Sequence, residues 1–175
     1  MTCAYIRPYK GVSPTLGARV FLAPGCVVTG DVVLGDDVNV WFGAVMRGDV
    51  NIIRIGDRCT IQDGAVIHIS SGKTGETHIA HDVVIGHQAC VHGCQIGARS
   101  LIGIGATVLD GAVVESDAMV AAGALVPPGK RIPSGEVWAG KPARKLRDLT
   151  QADYDYITYD IKSYMDLAQE AQSHL

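Results

Sequence analysis

Five of the six histidines in this 175-residue chain fall between positions 68 and 92: His68, His78, His81, His87 and His92. Imidazole is the commonest metal ligand and the side chain best suited to acid–base work near neutral pH. Three imidazoles with a fourth position open form the ligand set of a catalytic zinc, whereas a structural zinc is closed by four protein ligands. The spacing selects His68, His87 and His92: they follow Ile67, Ile85 and Val91 by one, two and one positions, just outside a recurring aliphatic slot. Other readings compete. Surface histidines are often only solvated. Cys90 and Cys94, interleaved with His87 and His92, raise a mixed Cys/His site, although neither fits an iterated zinc-finger spacing. His78 and His81 are either extra ligands or the flanks of a loop. Arg47 and Asp49, two apart on a strand, point to the same side, and Gln62 and Asp63 extend that polar patch one coil later. A bland solvated pair is the alternative for Arg47 and Asp49. The segment Ile69 to His78 breaks the repeat beside His68 and overhangs the site.

What positions these residues is a period of six. Aliphatic residues recur at Leu22, Val28, Leu34, Val40, Met46 and Ile52, then, after a three-residue shift, at Ile55, Ile61 and Ile67. The series resumes at Ile79, Ile85 and Val91 and, after a five-residue step, runs from Ile96 to Ile132. Small or β-branched residues such as Cys26, Ala44, Ala65, Ala89 and Ala106 follow four positions behind. Six fits neither a 3.6-residue helix nor a free-running strand. It fits a parallel β-helix over residues 20–143, with three hexapeptides to a triangular coil and coils stacked about 4.8 Å apart. Glycine serves where φ must be positive, and the narrow prism has no room for Phe or Trp. The composition agrees: 21 glycines, two phenylalanines and 6% aromatics. A β-sandwich with evenly spaced turns is the weaker alternative. Ile67 and Ile85 are one 18-residue coil apart, so His68 and His87 should share a face and His92 should come from the next. Because the faces diverge, two histidines of one prism and one from an adjoining prism would close a three-nitrogen site. After the prolines at 127, 128, 133 and 142, Thr150 and Asp153 cap an amphipathic helix over 150–173 that packs on the prism.

The remaining composition excludes several classes. With 15 basic and 18 acidic residues there is no electrostatic footprint for nucleic acid. No run reaches the ~18 apolar residues of a membrane span, and Met1 to Gly11 lacks the apolar core of a signal peptide. Five cysteines in a chain of this size suit free thiols and a cytoplasmic location. The length suits one domain, 1–175.

The segments Trp41-Phe42-Gly43-Ala44-Val45-Met46-Arg47-Gly48-Asp49 and Ile61-Gln62-Asp63-Gly64, with His68, Ile85-Gly86-His87 and Val91-His92-Gly93-Cys94, resemble the γ-class carbonic anhydrases, and the short bacterial branch most nearly. The resemblance implies an all-β, left-handed parallel β-helix with one C-terminal helix, assembled as a homotrimer with metal sites at the subunit interfaces. It implies His68 and His92 from one subunit and His87 from its neighbour. It also implies an ion-pair network of Arg47, Asp49 and Asp63, with Gln62 hydrogen-bonding near the metal-bound water. Zn²⁺, with Co²⁺ or Fe²⁺ as alternatives, would lower the pKa of that water from ~15.7 to ~7 and supply a hydroxide that converts CO₂ to bicarbonate. Two departures stand out: Val50 and Ser71 occupy positions where the best-known pattern has glutamates, and Glu76 and His78 are the nearest substitutes. Tyr159 and Tyr164 both qualify as a helix tyrosine approaching the metal. Alternative functions are a hexapeptide acyltransferase with a histidine base, a metal-dependent acyl-CoA thioesterase, or a weakly active metal-binding trimeric scaffold.

Overall fold

The structure is a computed structural model that describes residues 3–72 and 75–174. Two residues of the overhanging loop, Lys73 and Thr74, lie outside the described residues, as do Met1, Thr2 and Leu175. The chain winds as a parallel β-solenoid with a single C-terminal helix. One face stacks the strands Phe21–Leu22, Asn39–Val40, Thr60–Ile61, Val84–Ile85, Leu101–Ile102, Met119–Val120 and Glu136–Ala139. The second face carries Val66–His68, Cys90–His92, Thr107–Val108 and Leu125–Val126; the third carries Thr77–Ile79, Gln95–Ile96, Val113–Val114 and Arg131–Ile132. The long strands Val27–Leu34 and Val45–Ile55 run around a corner and join these two faces into one sheet.

The inward ladders follow the hexapeptide period. Met46, Ile67, Val91 and Val108 stack in register, each fully buried. Cys26, Ala44, Ala65, Ala89 and Ala106 fill the tight corners, also fully buried. Five details differ from the sequence expectations. The parallel pairing begins at Tyr5, which aligns with Val27, ahead of residue 20: Leu16, stacked on Leu34, carries the period of six one step before Leu22, and an out-of-phase step separates it from Ile6, stacked on Val28. Within Val45–Ile55 the buried residue is Ile53, not Ile52, since the extra residues bulge out before the register is recovered at Ile53 and Ile55. Trp138 does enter the core: it sits over Val120 on the last coil, 8% exposed, and closes the open end of the prism.

The fourth difference concerns glycine. The glycines directly behind the aliphatic residues are needed for close approach, not for positive φ; a Cβ on Gly103 would lie 2.5 Å from the Ala122 backbone nitrogen. One corner does use glycine at positive φ, at Gly43, Gly64, Gly105 and Gly123. Another holds that conformation with Arg19, Asp37, Arg58, Asp82, Arg99 and Asp117, an alternating column of charge.

The fifth difference bears on the site. Counting 18 residues from Ile67 leads to the wrong face. Six extra positions fall between the strands Val66–His68 and Thr77–Ile79, so Ile67 stacks on Val91 and His68 on His92. His87 instead sits at the corner where the chain leaves the first face, between Val84–Ile85 and Cys90–His92. The expectation that His68 and His87 share a face is therefore corrected.

The helix Gln151–His174 lies on the first face. Its start is fixed by Asp153, whose carboxylate accepts from the Thr150 backbone N–H and hydroxyl at 2.8 and 2.7 Å. Ile157 and Ile161 pack on Val84 and Leu101, and Ala168 and Tyr164 pack on Phe21 and Trp41. Burial of these side chains gives about 1.5–3 kcal/mol for each large one and explains why a single amphipathic helix needs the prism. Among the described residues no helix is long and apolar enough to cross a membrane.

Candidate metal centre

Each of the three selected histidines has a carboxylate on one ring nitrogen. Asp49, which ends its reach on the strand Val45–Ile55, places Oδ1 3.0 Å from His68 Nε2 and pairs through Oδ2 with Arg47. Asp110 places Oδ1 2.7 Å from His92 Nδ1. Asp63 places Oδ2 2.9 Å from His87 Nδ1. A carboxylate only accepts, so in the neutral ring the facing nitrogen carries the proton and the other nitrogen keeps its lone pair. The nitrogens that face no carboxylate are Nδ1 of His68 and Nε2 of His92 and His87.

The first two point at each other across 3.1 Å. Two lone pairs directed at one another repel unless a proton or a cation stands between them. The separation is close to the ~3.3 Å edge of a tetrahedron with ~2.0 Å metal–nitrogen arms. These two residues therefore fit a metal ion. Carboxylate-bound imidazoles are the usual form of such ligands.

His87 is not beside them. It lies five positions before His92 on the same coil, at the opposite edge of the second face, which is up to ~16 Å of extended chain. Accordingly, among the described residues no three His, Cys, Asp or Glu side chains of one chain converge as a metal site. Arg47, Asp49, His68, His92 and Asp110 form one connected group; Asp63, His87 and Gln62 form another. Gln62 is buried and its Oε1 accepts the His87 backbone N–H at 3.0 Å. Within the chain, Asp63 contacts His87 rather than Arg47 or Asp49.

Of the two helix tyrosines, Tyr164 is the one in contact with His87. The Tyr164 hydroxyl is 3.2 Å from His87 Nε2, whereas Tyr159 is 68% exposed. Burial raises the pKa of Tyr164, and the charges of Asp160 and Asp63 raise it further. Beside it a groove of about 440 Å³ opens between helix and prism, with Gln62, His87, Asp160 and Tyr164 at its polar side and Leu101 and Met119 at its apolar side. Burial likewise raises the carboxyl of Asp160, partly offset by His87. At the other group, burial pushes Asp49 and Asp110 upward. The hydrogen bonds from His68 and Arg47, and from Ser70 and His92, outweigh that and leave both carboxyls below their ordinary value.

The mixed Cys/His site is not formed. Cys94 points into the core, 1% exposed, and burial pushes its thiol up to about 12. His78 pairs with Glu76 at 2.7 Å and His81 with Asp82 at 2.6 Å, away from the paired imidazoles. Sequence reasoning missed Asp110 and Ser70. The spacing held a signal for the first: Asp110 is 18 positions after His92, one regular coil on.

A hexapeptide β-solenoid carrying carboxylate-held histidines at its edges is the class that fold and site define. Comparison with known proteins narrows it. Residues 13–48 match the family described as bacterial transferase hexapeptide (six repeats). The chain is 41% identical to a carbonic anhydrase of Geobacillus kaustophilus over 94% of its own length and 89% of that protein's. It is 47% identical to the mitochondrial γ carbonic anhydrase 2 of Arabidopsis thaliana over 90% of its own length, and spans 58% of that relative. A hexapeptide transferase family protein from Anaplasma phagocytophilum superposes with a TM-score of 0.90 at 39% identity, covering 95% and 97% of the two chains. The chain belongs to the γ-class carbonic anhydrase family of hexapeptide-repeat proteins.

Proposed function

We propose that this chain is a metal-dependent carbonic anhydrase that interconverts CO₂ and bicarbonate at sites completed between subunits of a homotrimer. The observation that carries the reading is the division of the histidines: two free imidazole nitrogens 3.1 Å apart at one edge of a face, and a third at the other edge. Three copies turning that face toward a common axis would bring the opposite edges together and supply three nitrogens. The face suits burial. Its outward row, Val27, Val45, Val66, Cys90, Thr107 and Leu125, is mostly apolar, and the C-terminal helix covers a different face.

His68 and His92 of one subunit and His87 of the next would hold the ion; Zn²⁺ suits three neutral imidazoles, as do Co²⁺ and Fe²⁺. When bound, such an ion polarises water enough to ionise it near neutral pH. Asp49, Asp110 and Asp63 fix the tautomers of the three rings. Arg47 holds Asp49, and Gln62 holds the backbone of His87. Tyr164 donates to His87 Nε2 in the isolated chain, so its hydroxyl stands beside that nitrogen when the subunits meet. The bicarbonate-forming direction releases a proton. Val50, 55% exposed, offers no acceptor beside Asp49, and the Glu76–His78 pair is the neighbouring acid–base couple on the adjoining face. The cytoplasmic location expected from the cysteines is part of this proposal, and all five thiols are free.

The test is metal content together with oxygen-isotope exchange between CO₂ and bicarbonate on purified protein, from about pH 6 to 9. One metal per chain with exchange is the expected result. Metal without exchange would leave a binding scaffold, and CoA-dependent acyl chemistry would favour the transferase or thioesterase readings.

A further inference from the structure

Asp110 does two things with one oxygen. Its Oδ1 lies 2.7 Å from His92 Nδ1 and accepts the Ser70 hydroxyl at 2.8 Å. Gly93, at φ +55°, leaves the space for this: a Cβ there would collide with Asp110 Oδ1. Ser70 begins the excursion that lengthens this coil, and its backbone N–H donates to the Gly75 carbonyl at 2.9 Å. From the other side, Asn51 Nδ2 donates to the carbonyls of Ser70 and Gly72 at 3.2 and 2.8 Å. Ser70 is therefore held between Asn51, which also holds Gly72, and the carboxylate that faces His92.

We propose that Asp110 is a positioning residue: it fixes the Nδ1–H tautomer of His92, turns Nε2 toward His68, and through Ser70 ties the loop to the same ring. The tautomer half of this stands on the chain alone; its consequence for metal affinity rests on the ligand set proposed above. The loop and the ligand pair then move as one unit. Removing the carboxylate frees both, whereas removing only the Ser70 hydroxyl frees the loop and leaves His92 oriented.

Nitrogen-15 NMR of the imidazoles in metal-free protein reads the tautomer, zinc titration against a chelator reads the affinity, and amide exchange at position 70 reads the loop. Asp110→Ala should shift His92 away from Nδ1–H, weaken zinc by about 10- to 100-fold and speed exchange at position 70. Asp110→Asn, whose amide oxygen still accepts from Nδ1–H, should recover most of the tautomer and affinity. Ser70→Ala should keep zinc affinity within about threefold while exchange at position 70 rises several-fold. Far-UV circular dichroism verifies folding, and Asp110→Val serves if the alanine variant does not fold. An unchanged His92 tautomer in Asp110→Ala or Asp110→Val overturns the proposal, as does failure of the asparagine to recover it. If wild-type protein takes up no stoichiometric zinc, the ligand set fails by itself and the tautomer measurement still decides the role of Asp110.

Discussion

Two columns of charged side chains run along this prism, and they are finished differently. At one corner, Arg19 pairs with Asp37, Arg58 with Asp82 and Arg99 with Asp117, each at 2.6–2.8 Å through two nitrogens and two carboxylate oxygens. Every cation meets an anion one coil away on its own chain. At the histidine edge, Asp49 and Asp110 satisfy the outer nitrogens of His68 and His92, and the inner nitrogens face each other with nothing of their own chain between. The first column is self-completing and holds coils in register. The second, on the function proposed above, is completed by a neighbouring subunit. Alternating charge at a corner is thus no sign of chemistry; carboxylates that leave one lone pair free on each partner are.

Substitutions can pull the two columns apart. His92→Ala should cost the largest effect, at least 100-fold in metal affinity, because a three-nitrogen site loses one arm. Metal-free melting should move little, since His92 is a half-buried outward residue; chelator competition and calorimetry check the two halves. Arg58→Ala should do the reverse. Loss of a part-exposed bidentate pair costs about 1 kcal/mol or less, a shift of ~2–4 °C in melting for a chain of this size, with unchanged metal content. If Arg58→Ala emptied the metal site, the two columns would not be independent.

Next in size, turnover should rise about two- to threefold on adding imidazole buffer, because neither Val50 nor Ser71 supplies a carboxylate to accept the proton and the Glu76–His78 couple stands on the adjoining face; stopped-flow CO₂ hydration at fixed ionic strength reads this. The smallest effect is in the pH dependence of the corner column. The hydrogen bond from Arg58 holds the Asp82 carboxyl below its ordinary value, and the one from Arg19 does the same for Asp37. A depressed folded pKa means stability that is present above the unfolded carboxylate value of ~3.9 and lost as pH falls through the folded one. Metal-free melting should therefore be level from pH 7 to 5 and decline below about pH 4. Arg58→Ala should flatten that decline slightly.

Much of this was readable from the residues. The ladders of Met46, Ile67, Val91 and Val108 announced the solenoid because one inward residue in six must be aliphatic whatever else the coil does. His68 and His92 stood out because a solenoid has no structural use for them. The pairing of His68 with His92 was not readable, for a physical reason. An insertion of six residues keeps the hexapeptide phase while adding a third of a coil, so counting alone assigned His87 as the partner. Only the backbone ladder, which aligns Ile67 with Val91 and Thr77 with Ile53, shows that the extra positions fall between His68 and Thr77. The charged corner was hidden too, since Arg19 or Asp82 at positive φ looks like any surface charge until the coils are stacked. Asp110 shows no unusual neighbours along the chain; its meaning comes from the coil beneath it.

The central claim is that the site is shared between subunits, and mixing chains tests it. His68→Ala and His87→Ala chains should each bind no stoichiometric zinc alone. Co-refolded at equal concentrations, they should regain about a quarter of a zinc per chain, because one interface in four joins an intact His87 to an intact His68–His92 pair. No recovery of zinc in mixed assemblies, or full zinc content in His87→Ala alone, would contradict the account.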